Sequence, residues 1–565
     1  MNFTDDISIV LAGEAGQGIA SIEKIVVSLV KNAHMHIFAT KEYMSRVRGG
    51  VNSTSIRIAS ERVSAYTQRI DILIPLTGET TTHLAKRISK RTVIIGEKND
   101  RYPGIIDVPF SDIAREAGNS LYANTVAAGM CAGLLSIDES ILERTIRASF
   151  HGKDEHVVSA NVAAGAKGYA AGRELSKTIR ISIKPDSSVA DDIILSGTDA
   201  IAVGAVAGGC NFVSAYPMTP SSGVLTALAG LSKTNDIIVE QIEDEVGALN
   251  MVLGAWYAGA RAMTTTSGGG FALMTEAVSL AGMIESPAVI LVSQRPGPAT
   301  GLPTRTEQGD LDLVLHAGHG EFPRIILAPG DTAEAYELSR TAFDLADRYQ
   351  VPVFILSDQY LVDTYYNIPK PDTARTPSSC VLRTDSSYRR FALTKSGISP
   401  RGIPGYGEGI VRVDSDEHDE DGRITEDLDV RNDTVQKRLS KFKAMKKDEL
   451  PAVLIGPKKH STLIVGWGST KEMVREALTG IDDGKTAYLH CPQIFPFPVT
   501  AKRIIDAAKK FVVIEGNATG QFASLIHRET GRRADDAVLK YNGLPFSVEE
   551  VMASIQRVTK KRGKR

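Results

Sequence analysis

The feature that most limits the fold is an alternation of helices and buried strands between Ala215 and Asp310. Open parallel sheets are built from such βαβ repeats, and they bind ligands where the strands end in polar or glycine-rich loops. The segments predicted here are a helix from about Glu245, a strand at Ala262–Thr266, a turn at Ser267-Gly268-Gly269-Gly270, a helix at Phe271–Ile284 and a strand at Ala288–Ser293. The pattern therefore predicts a ligand site at these strand ends.

The length of 565 residues exceeds what one hydrophobic core supports, and about three or four domains are expected. Strands and helices alternate in most of the chain, which predicts an α/β fold with several open sheets that carry helices on both faces. The expected divisions are an α/β domain at residues 1–180, a linker at 181–192, a second α/β domain at 193–365, an irregular charged arm at 366–455 and a third α/β domain at 456–565.

The composition is that of a soluble globular protein, with 42% hydrophobic and 23% charged residues. A net charge of −2 gives no reason to expect nucleic acid or a membrane surface as a partner. The N-terminus lacks the features of a signal peptide, and no apolar run approaches the roughly 20 residues that span a bilayer. We therefore expect a cytoplasmic protein. The basic end from Lys560 to Arg565 is better explained as a solvated tail than as a binding patch.

The four cysteines lie far apart and form no C-x-x-C pair; they are Cys131, Cys210, Cys380 and Cys491. This spacing argues against a disulfide framework and against a zinc or iron–sulfur site built by this chain alone. Buried free thiols are the favoured interpretation. If the protein is a redox enzyme, its clusters are expected on another subunit.

Two segments near the N-terminus could hold an anion. Gly13-Glu14-Ala15-Gly16-Gln17-Gly18 follows a predicted strand and precedes a predicted helix, but its spacing fits neither dinucleotide nor Walker motifs, so a tight turn is favoured. Arg46 and Arg48 precede paired glycines and could grip an anionic group, although an interdomain salt bridge would use them equally well.

The acidic segment from Asp414 to Gly422 invites a calcium interpretation. Aligned on Gly422, an EF-hand loop needs Asp at position 417 and Glu at position 428, whereas the chain has Glu417 and Leu428. An acidic surface loop is favoured, and no metal site is predicted.

Three motifs in the central region occur in a fixed order. They are Tyr216-Pro217-Met218-Thr219-Pro220-Ser221, then Gln241-Ile242-Glu243-Asp244-Glu245, then the stretch from Arg295 through Gly301-Leu302-Pro303-Thr304 to Asp310. Together they resemble the α subunit of the 2-oxoacid:ferredoxin oxidoreductases, most closely the 2-oxoglutarate type with a γ domain fused at the N-terminus. The resemblance implies that residues 1–180 are the γ-like domain, 193–365 the thiamine pyrimidine-binding domain and 456–565 a transketolase C-terminal-like domain. It also implies that the acidic arm packs on neighbouring subunits.

The resemblance implies a role for each motif residue. Glu245 would hold the aminopyrimidine ring of thiamine diphosphate, and Tyr216 and Pro217 would line that side. Thr219 would place a hydroxyl beside substrate and cofactor, while Arg295 would bind the substrate carboxylate with Thr304 as a second contact. Arg46 and Arg48 would lie near the coenzyme A entrance. Taken without the resemblance, Glu245 could simply complement the helix dipole, Thr219 could belong to a plain turn and Arg295 could form a structural ion pair.

The chain has no Gly-Asp-Gly followed at a suitable distance by Asn, which in thiamine enzymes binds magnesium and diphosphate. The resemblance therefore implies a β subunit that carries Mg²⁺, the diphosphate site and a [4Fe-4S] cluster, in an (αβ)₂ assembly that uses coenzyme A and reduces ferredoxin. The expected reaction is oxidative decarboxylation of a 2-oxoacid to its acyl-CoA, with 2-oxoglutarate as the leading substrate. Pyruvate or branched-chain specificity, a self-contained transketolase-like enzyme and a non-catalytic nucleotide-binding or scaffold protein are the alternatives.

Overall fold

The computed structural model describes residues 1–14, 17–45, 50–77, 79–98, 104–373 and 376–560. The chain forms two compact units. The first combines Met1–Leu195 with Asp363–Lys370 and Ser547–Glu549, and the second comprises Ser196–Val362, Pro371–Phe546 and Glu550–Arg565. In the described part of the chain, no helix has both the length and the apolar character needed to cross a membrane.

The strands of the described residues are, in chain order, β1 (Asn2–Thr4), β2 (Asp6–Glu14), β3 (His36–Glu42), β4 (Val51–Ala59), β5 (Ile72–Pro75), β6 (Val93–Gly96), β7 (Ile106–Asp107), β8 (Arg180–Ser182), β9 (Ile193–Ser196), β10 (Phe212–Ala215), β11 (Ile238–Gln241), β12 (Ala262–Thr266), β13 (Ala288–Gln294), β14 (Ile325–Leu327), β15 (Pro352–Asp358), β16 (Tyr365–Ile368), β17 (Val453–Ile455), β18 (Thr462–Trp467), β19 (Thr486–Cys491), β20 (Gln493–Phe495), β21 (Phe511–Glu515) and β22 (Asp536–Leu539).

The α-helices are, in the same order, α1 (Ile19–Asn32), α2 (Glu79–His83), α3 (Phe110–Glu116), α4 (Ala123–Leu134), α5 (Glu139–Ser149), α6 (Glu155–Leu175), α7 (Gly197–Ala207), α8 (Ser222–Leu231), α9 (Glu245–Tyr257), α10 (Gly268–Leu273), α11 (Thr275–Met283), α12 (Leu311–His316), α13 (Thr332–Tyr349), α14 (Gln359–Asp363), α15 (Leu428–Met445), α16 (Lys471–Ile481), α17 (Val499–Ala507), α18 (Gln521–Thr530) and α19 (Val548–Lys560).

The first unit is built on an eight-stranded mixed sheet in the order β7-β6-β5-β2-β4-β3-β16-β9. Strand β2 pairs antiparallel with β4 along its whole length and parallel with β5. Between its two end residues β2 is fully buried, as in strands that are covered on both faces. Helices α4 and α6 pack backbone to backbone. Their contact is so close that a Cβ atom at Gly168 would overlap the carbonyl oxygen of Val126.

The second unit contains two sheets. The larger has the order β11-β10-β12-β13-β15-β14-β20, and the smaller has the order β17-β19-β18-β21-β22. Strands β10 to β15 of the larger sheet pair in parallel, and β13 and β15 are buried along their whole length. Parallel strands need helical crossovers, which cover both faces and explain the continuous apolar character of these strands.

The fold class is confirmed: the protein is α/β, with several open sheets flanked by helices. Within the central region, the strand at Ala262–Thr266 has the predicted bounds, and α9 begins at Glu245 as predicted. The single helix predicted over Phe271–Ile284 is instead two consecutive helices, α10 and α11, which are separated by Met274.

The structure differs from the predicted irregular arm at residues 366–455, since α15 spans 18 of them. Most of the side chains that this helix buries are charged. Lys437 Nζ lies 2.5 Å and Lys441 Nζ 2.6 Å from the Glu285 carboxylate. Burial alone would raise the pKa of Glu285, but Lys441 and Lys437 outweigh it and hold that pKa far below its usual range. Hydrophobic periodicity cannot reveal a helix whose inner face is ionic.

The acidic segment also differs from a simple surface loop. His418 is only 1% exposed and lies against the Phe391 ring in a tilted arrangement, with ring centroids 3.9 Å apart. Glu417 accepts hydrogen bonds from Arg438 and pairs with Arg431, both of which lie on α15. These ion pairs hold the acidic segment against α15.

Strands at both ends of the central region join the sheet of the first unit. Strands β9 and β16 lie at one edge of the eight-stranded sheet, and residues 193–195 and 365–368 belong to the first unit. The predicted linker includes Ser182, the last residue of β8, which pairs with β1. Among the cysteines, Cys131, Cys210 and Cys491 are buried as predicted, whereas Cys380 is exposed.

Candidate functional site

The candidate site lies at the carboxyl ends of β10, β11, β12 and β13. Strands β10 and β12 are neighbours, but the chain leaves β10 toward β11 on one side and leaves β12 toward β13 on the other. Loops that diverge in this way leave a crevice above the two strands, which is where open α/β sheets bind ligands. The three motifs follow β10, β11 and β13.

Glu245 is held at the start of α9. The Asp244 side chain caps the helix by accepting a hydrogen bond of 2.7 Å from the Gly247 N–H, which fixes where the helix begins. Glu245 is only 4% exposed, and within the described residues its buried Oε1 atom has no hydrogen-bond partner. A buried carboxylate oxygen without a donor is costly, so this atom is positioned to receive one from a ligand.

The glycine run after β12 lies against two carboxylates. A Cβ atom at Gly270 would stand 2.6 Å from Glu245 Oε1, and one at Gly268 would overlap the Asp310 carboxylate. Any larger residue at either position would displace these side chains. The run Gly268–Gly270, at the start of α10, thus lets the Glu245 and Asp310 side chains approach the segment that follows β12.

Arg295 connects the first and third motifs. Its Nη1 atom donates a hydrogen bond of 2.6 Å to the backbone oxygen of Thr219, while its buried Nε atom has no partner within the described residues. Burial lowers the pKa of Arg295, and the nearby Asp310 charge partly offsets this effect. The guanidinium keeps a donor for a planar, negatively charged group.

Asp310 is a site residue that the sequence did not single out. Burial, with a smaller effect of Glu307, raises its pKa to about 6, and Arg295 acts in the opposite direction. Its Oδ2 atom is buried without a hydrogen-bond partner in the described structure, and its N–H donates 3.0 Å to Gln294 Oε1. The sequence signal was an acidic residue closing the loop that begins at Arg295, but nothing in the sequence indicated its burial.

Gln308 is a second residue that sequence analysis missed. It joins the third motif to the smaller sheet, because its Nε2 atom donates to the Trp467 oxygen at 3.0 Å and its Oε1 atom accepts from the Gly516 N–H at 2.7 Å. The Asn517 side chain donates 3.0 Å to the Gln308 backbone oxygen. The loop that carries Arg295 and Asp310 is therefore braced by the C-terminal sheet.

The remaining predicted residues occupy the same loops with fewer contacts. Tyr216 is 40% exposed and Pro217 is exposed, both directly after β10. Thr304 is half-buried in the loop of Arg295, and no hydrogen bond among the described residues joins it to Thr219, Glu245 or Arg295. Arg46 and Arg48, predicted near a coenzyme A entrance, lie outside the described residues.

The fold and the site together define an α/β protein with a ligand crevice at the strand ends of an open parallel sheet. The family model described as "Pyruvate flavodoxin/ferredoxin oxidoreductase, thiamine diP-bdg" matches residues 203–437, and the model "Pyruvate ferredoxin/flavodoxin oxidoreductase" matches residues 8–171. The 2-oxoacid:ferredoxin oxidoreductase α subunit of a Sulfolobus species is 32% identical, covering 99% of this chain and 98% of its own length. The chain belongs to the α subunits of the 2-oxoacid:ferredoxin oxidoreductases, which are thiamine diphosphate-dependent.

Two further relatives carry more specific names. The 2-oxoglutarate synthase subunit KorA of Methanothermobacter thermautotrophicus is 30% identical over 66% of this chain and all of its own length. The structure of 2-oxoglutarate:ferredoxin oxidoreductase from Magnetococcus marinus, described with 2-oxoglutarate, coenzyme A and succinyl-CoA bound, is 30% identical. Its TM-score is 0.91, with 98% of this chain and 99% of that chain covered.

Proposed function

We propose that this chain is the α subunit, with a fused γ region, of an oxidoreductase that converts 2-oxoglutarate and coenzyme A to succinyl-CoA and carbon dioxide and passes the electrons to ferredoxin. The main observation behind the proposal is the buried Oε1 atom of Glu245, which has no hydrogen-bond partner in the described residues and lies next to Gly270 at the crevice. The names of the KorA relative and of the Magnetococcus marinus structure support 2-oxoglutarate as substrate.

The residues of the crevice fit one half of thiamine diphosphate. When bound, this cofactor supplies a nucleophilic carbon and an electron sink for decarboxylation. Glu245 Oε1 is free to accept a hydrogen bond from a ring nitrogen. Because Gly270 has no side chain, nothing at position 270 covers that oxygen. The proposed role of Glu245 is to hold the aminopyrimidine ring and its proton, with Tyr216 and Pro217 on the same side.

Arg295 and Thr219 are proposed to position the substrate. The hydrogen bond from Arg295 to the Thr219 backbone fixes both residues at the crevice, and the unused Nε donor faces a buried environment in which a carboxylate is bound strongly. Thr304, on the same loop, is proposed as a second contact. Arg46 and Arg48 remain proposed contacts of coenzyme A.

The other half of the active site is proposed to belong to a β subunit that carries Mg²⁺, the diphosphate site and a [4Fe-4S] cluster, in a cytoplasmic (αβ)₂ enzyme. The far-apart cysteines support this division. So does the finding that, across the described ranges, no three His, Cys, Asp or Glu side chains are grouped so that they could hold a metal ion.

The test is anaerobic co-purification of this chain with its β subunit, followed by viologen reduction with a panel of 2-oxoacids and coenzyme A. We expect 2-oxoglutarate to give the highest kcat/KM, and Glu245→Gln to abolish turnover while the complex still assembles. Glu243→Gln is the matched control, because Glu243 is an exposed carboxylate two residues earlier. Near-normal activity of Glu245→Gln would refute the cofactor role, and a preference for pyruvate or a branched-chain 2-oxoacid would refute the substrate.

A further inference from the structure

We propose that a basic groove in the C-terminal sheet domain binds a phosphate-rich small molecule of the nucleotide class. The groove has a volume of about 930 Å³ and is lined by five cationic side chains, Lys458, Lys459, Lys485, Arg503 and Lys509. This volume lies within the range of about 300–1,000 Å³ that small-molecule sites occupy. The lining contains no carboxylate.

The groove lies at one end of the strands of the smaller sheet, and the loop that carries Arg295 and Asp310 contacts the other end. Its lining comes from the loop that enters β18, from the residue before β19 and from the segment that enters β21, all at the amino ends of parallel strands. Gln308 of the catalytic loop instead contacts Trp467 and Gly516, at the carboxyl ends of β18 and β21. A ligand in the groove is therefore separate from the thiamine site.

The five cations form no salt bridge in the described part of the chain, and the Asp483 charge acts on one of them, Lys485. Two acidic residues close to them in the sequence make contacts with backbone N–H groups or with another lysine. Asp483 accepts hydrogen bonds from the Lys485 and Thr486 N–H groups, each at 2.8 Å, and Asp506 pairs with Lys502 at 3.3 Å. Clustered like charges repel each other, and a concave surface of one sign concentrates oppositely charged ligands. A ligand with several negative charges resolves this repulsion.

The backbone beneath the cations is fixed before any ligand binds. Both the Ser461 N–H and the Ser461 hydroxyl donate to the Lys485 backbone oxygen, at 2.8 Å and 3.3 Å, so the loops that enter β18 and β19 lie side by side. Lys510, next to Lys509, donates 2.5 Å to the Val558 oxygen in the last turn of α19. Preorganised backbone reduces the ordering cost of binding.

The apolar part of the lining indicates what the phosphates are attached to. Leu454 and two residues of α17, Ile504 and Ala507, contribute apolar surface between the cations. Inorganic phosphate would leave this surface unused, whereas a nucleotide covers it with its base and ribose. An acidic protein partner needs roughly 800 Å² of matching surface on each side, and a concave groove suits it less well. The chemistry therefore favours a nucleotide with two or more phosphates.

The test is calorimetric titration of the intact α–β complex at near-physiological ionic strength, with thiamine diphosphate, Mg²⁺ and saturating coenzyme A already present to fill the catalytic sites. The probes are ATP, inorganic tripolyphosphate and adenosine. We expect saturable binding of ATP, weaker binding of tripolyphosphate and none of adenosine. The triple variant Lys458→Gln, Lys459→Gln, Lys485→Gln should weaken ATP binding by at least about tenfold, because charge-assisted contacts supply most of the affinity.

The control removes three exposed lysines elsewhere, Lys86→Gln, Lys90→Gln and Lys153→Gln, and should bind ATP as the unmodified complex does. Both triple variants should keep the basal rate with saturating substrates. Equal ATP binding by the two triple variants, or no saturable binding by the unmodified complex, would overturn the proposal. The proposal would also be wrong if the groove triple variant had a raised KM for the protein electron acceptor while the unmodified complex bound no ATP. The groove would then be a docking surface for that acceptor.

Discussion

Arg295 joins two loops and also keeps a donor for a ligand. Its Nη1 atom is committed to the Thr219 backbone, and its Nε atom is buried without a partner in the described residues. An unpaired buried N–H donor is unfavourable until a carboxylate arrives, because this donor has lost its contact with water. Binding of a 2-oxoacid at this position would remove that penalty.

Arg295→Ala should lower kcat/KM for the 2-oxoacid by about 10- to 150-fold, the equivalent of roughly 1.5–3 kcal/mol for a charge-assisted hydrogen bond. Steady-state kinetics of the complex measures the effect. Arg295→Lys is the matched control: it keeps the charge but loses the planar fork, and it should recover only part of the loss. An unchanged kcat/KM in Arg295→Ala would show that the residue does not bind substrate.

Asp310 is expected to affect both activity and stability, and the direction of its effect on stability follows from its raised pKa. Its folded pKa of about 6 lies above the usual value of 3.8, because burial disfavours the charged form. The stability associated with its protonated form is complete below the unfolded pKa and is lost as the pH rises through about 6. Asp310→Asn should therefore have a higher free energy of unfolding than the unmodified protein, by roughly 2–3 kcal/mol at about pH 8 and by about half as much at about pH 5.

Equilibrium unfolding at the two pH values measures this difference. Asp312→Asn, at an exposed position two residues later, is the control and should show no such change. Because Asp310 lies beside Arg295 and Gly268, the Asp310→Asn variant should also lose activity while it gains stability. A stability gain that stays constant between about pH 5 and pH 8 would contradict the buried-carboxylate explanation.

Among the elements, α4 and α6 depend on glycine for their contact. A Cβ atom at Gly168 would overlap the Val126 carbonyl, a backbone group that cannot rotate away. Gly168→Ala should therefore lower the free energy of unfolding by about 1–3 kcal/mol, although alanine favours helices, because overpacking outweighs the propensity gain. Ala170→Leu adds more volume at an exposed position of the same helix and should be nearly neutral. Thermal unfolding compares the two, and a stabilised Gly168→Ala variant would contradict the packing argument.

The elements also show where sequence reasoning succeeds and fails. The strand at Ala288–Gln294 was predictable to within one residue, because parallel strands buried on both faces give near-continuous apolar runs. Helix α15 was not predictable, because its inner face carries Lys437 and Lys441 in an ion cluster with Glu285, and burial lowers the pKa of Lys441 to about 8. Asp310 escaped notice for a related reason, since sequence alone does not distinguish a buried carboxylate from an exposed one.

At the scale of the whole molecule, the chain order hides which segments belong together. Strand β16 follows the central region in sequence but lies in the sheet of the first unit. Gln308 similarly joins the central loop to a sheet whose strands lie far along the chain, at Trp467 and beyond. Long-range pairings of this kind depend on tertiary packing, which local propensity does not encode. Arg295 could be placed at a strand end because it directly follows β13, whose apolar run was itself predictable.

If the chain contributes only half of a thiamine site, cofactor binding should depend on its partner. Thiamine diphosphate with Mg²⁺ should leave the thermal unfolding of the isolated chain unchanged, but stabilise the reconstituted α–β complex by roughly 2.7 kcal/mol at a hundred times the Kd. Glu245→Gln should reduce this stabilisation, since its Oε1 atom is the proposed acceptor for the aminopyrimidine ring, whereas Glu243→Gln should not. An equal shift in the isolated chain would mean that this polypeptide binds the diphosphate by itself, and the division of the site between two subunits would be wrong.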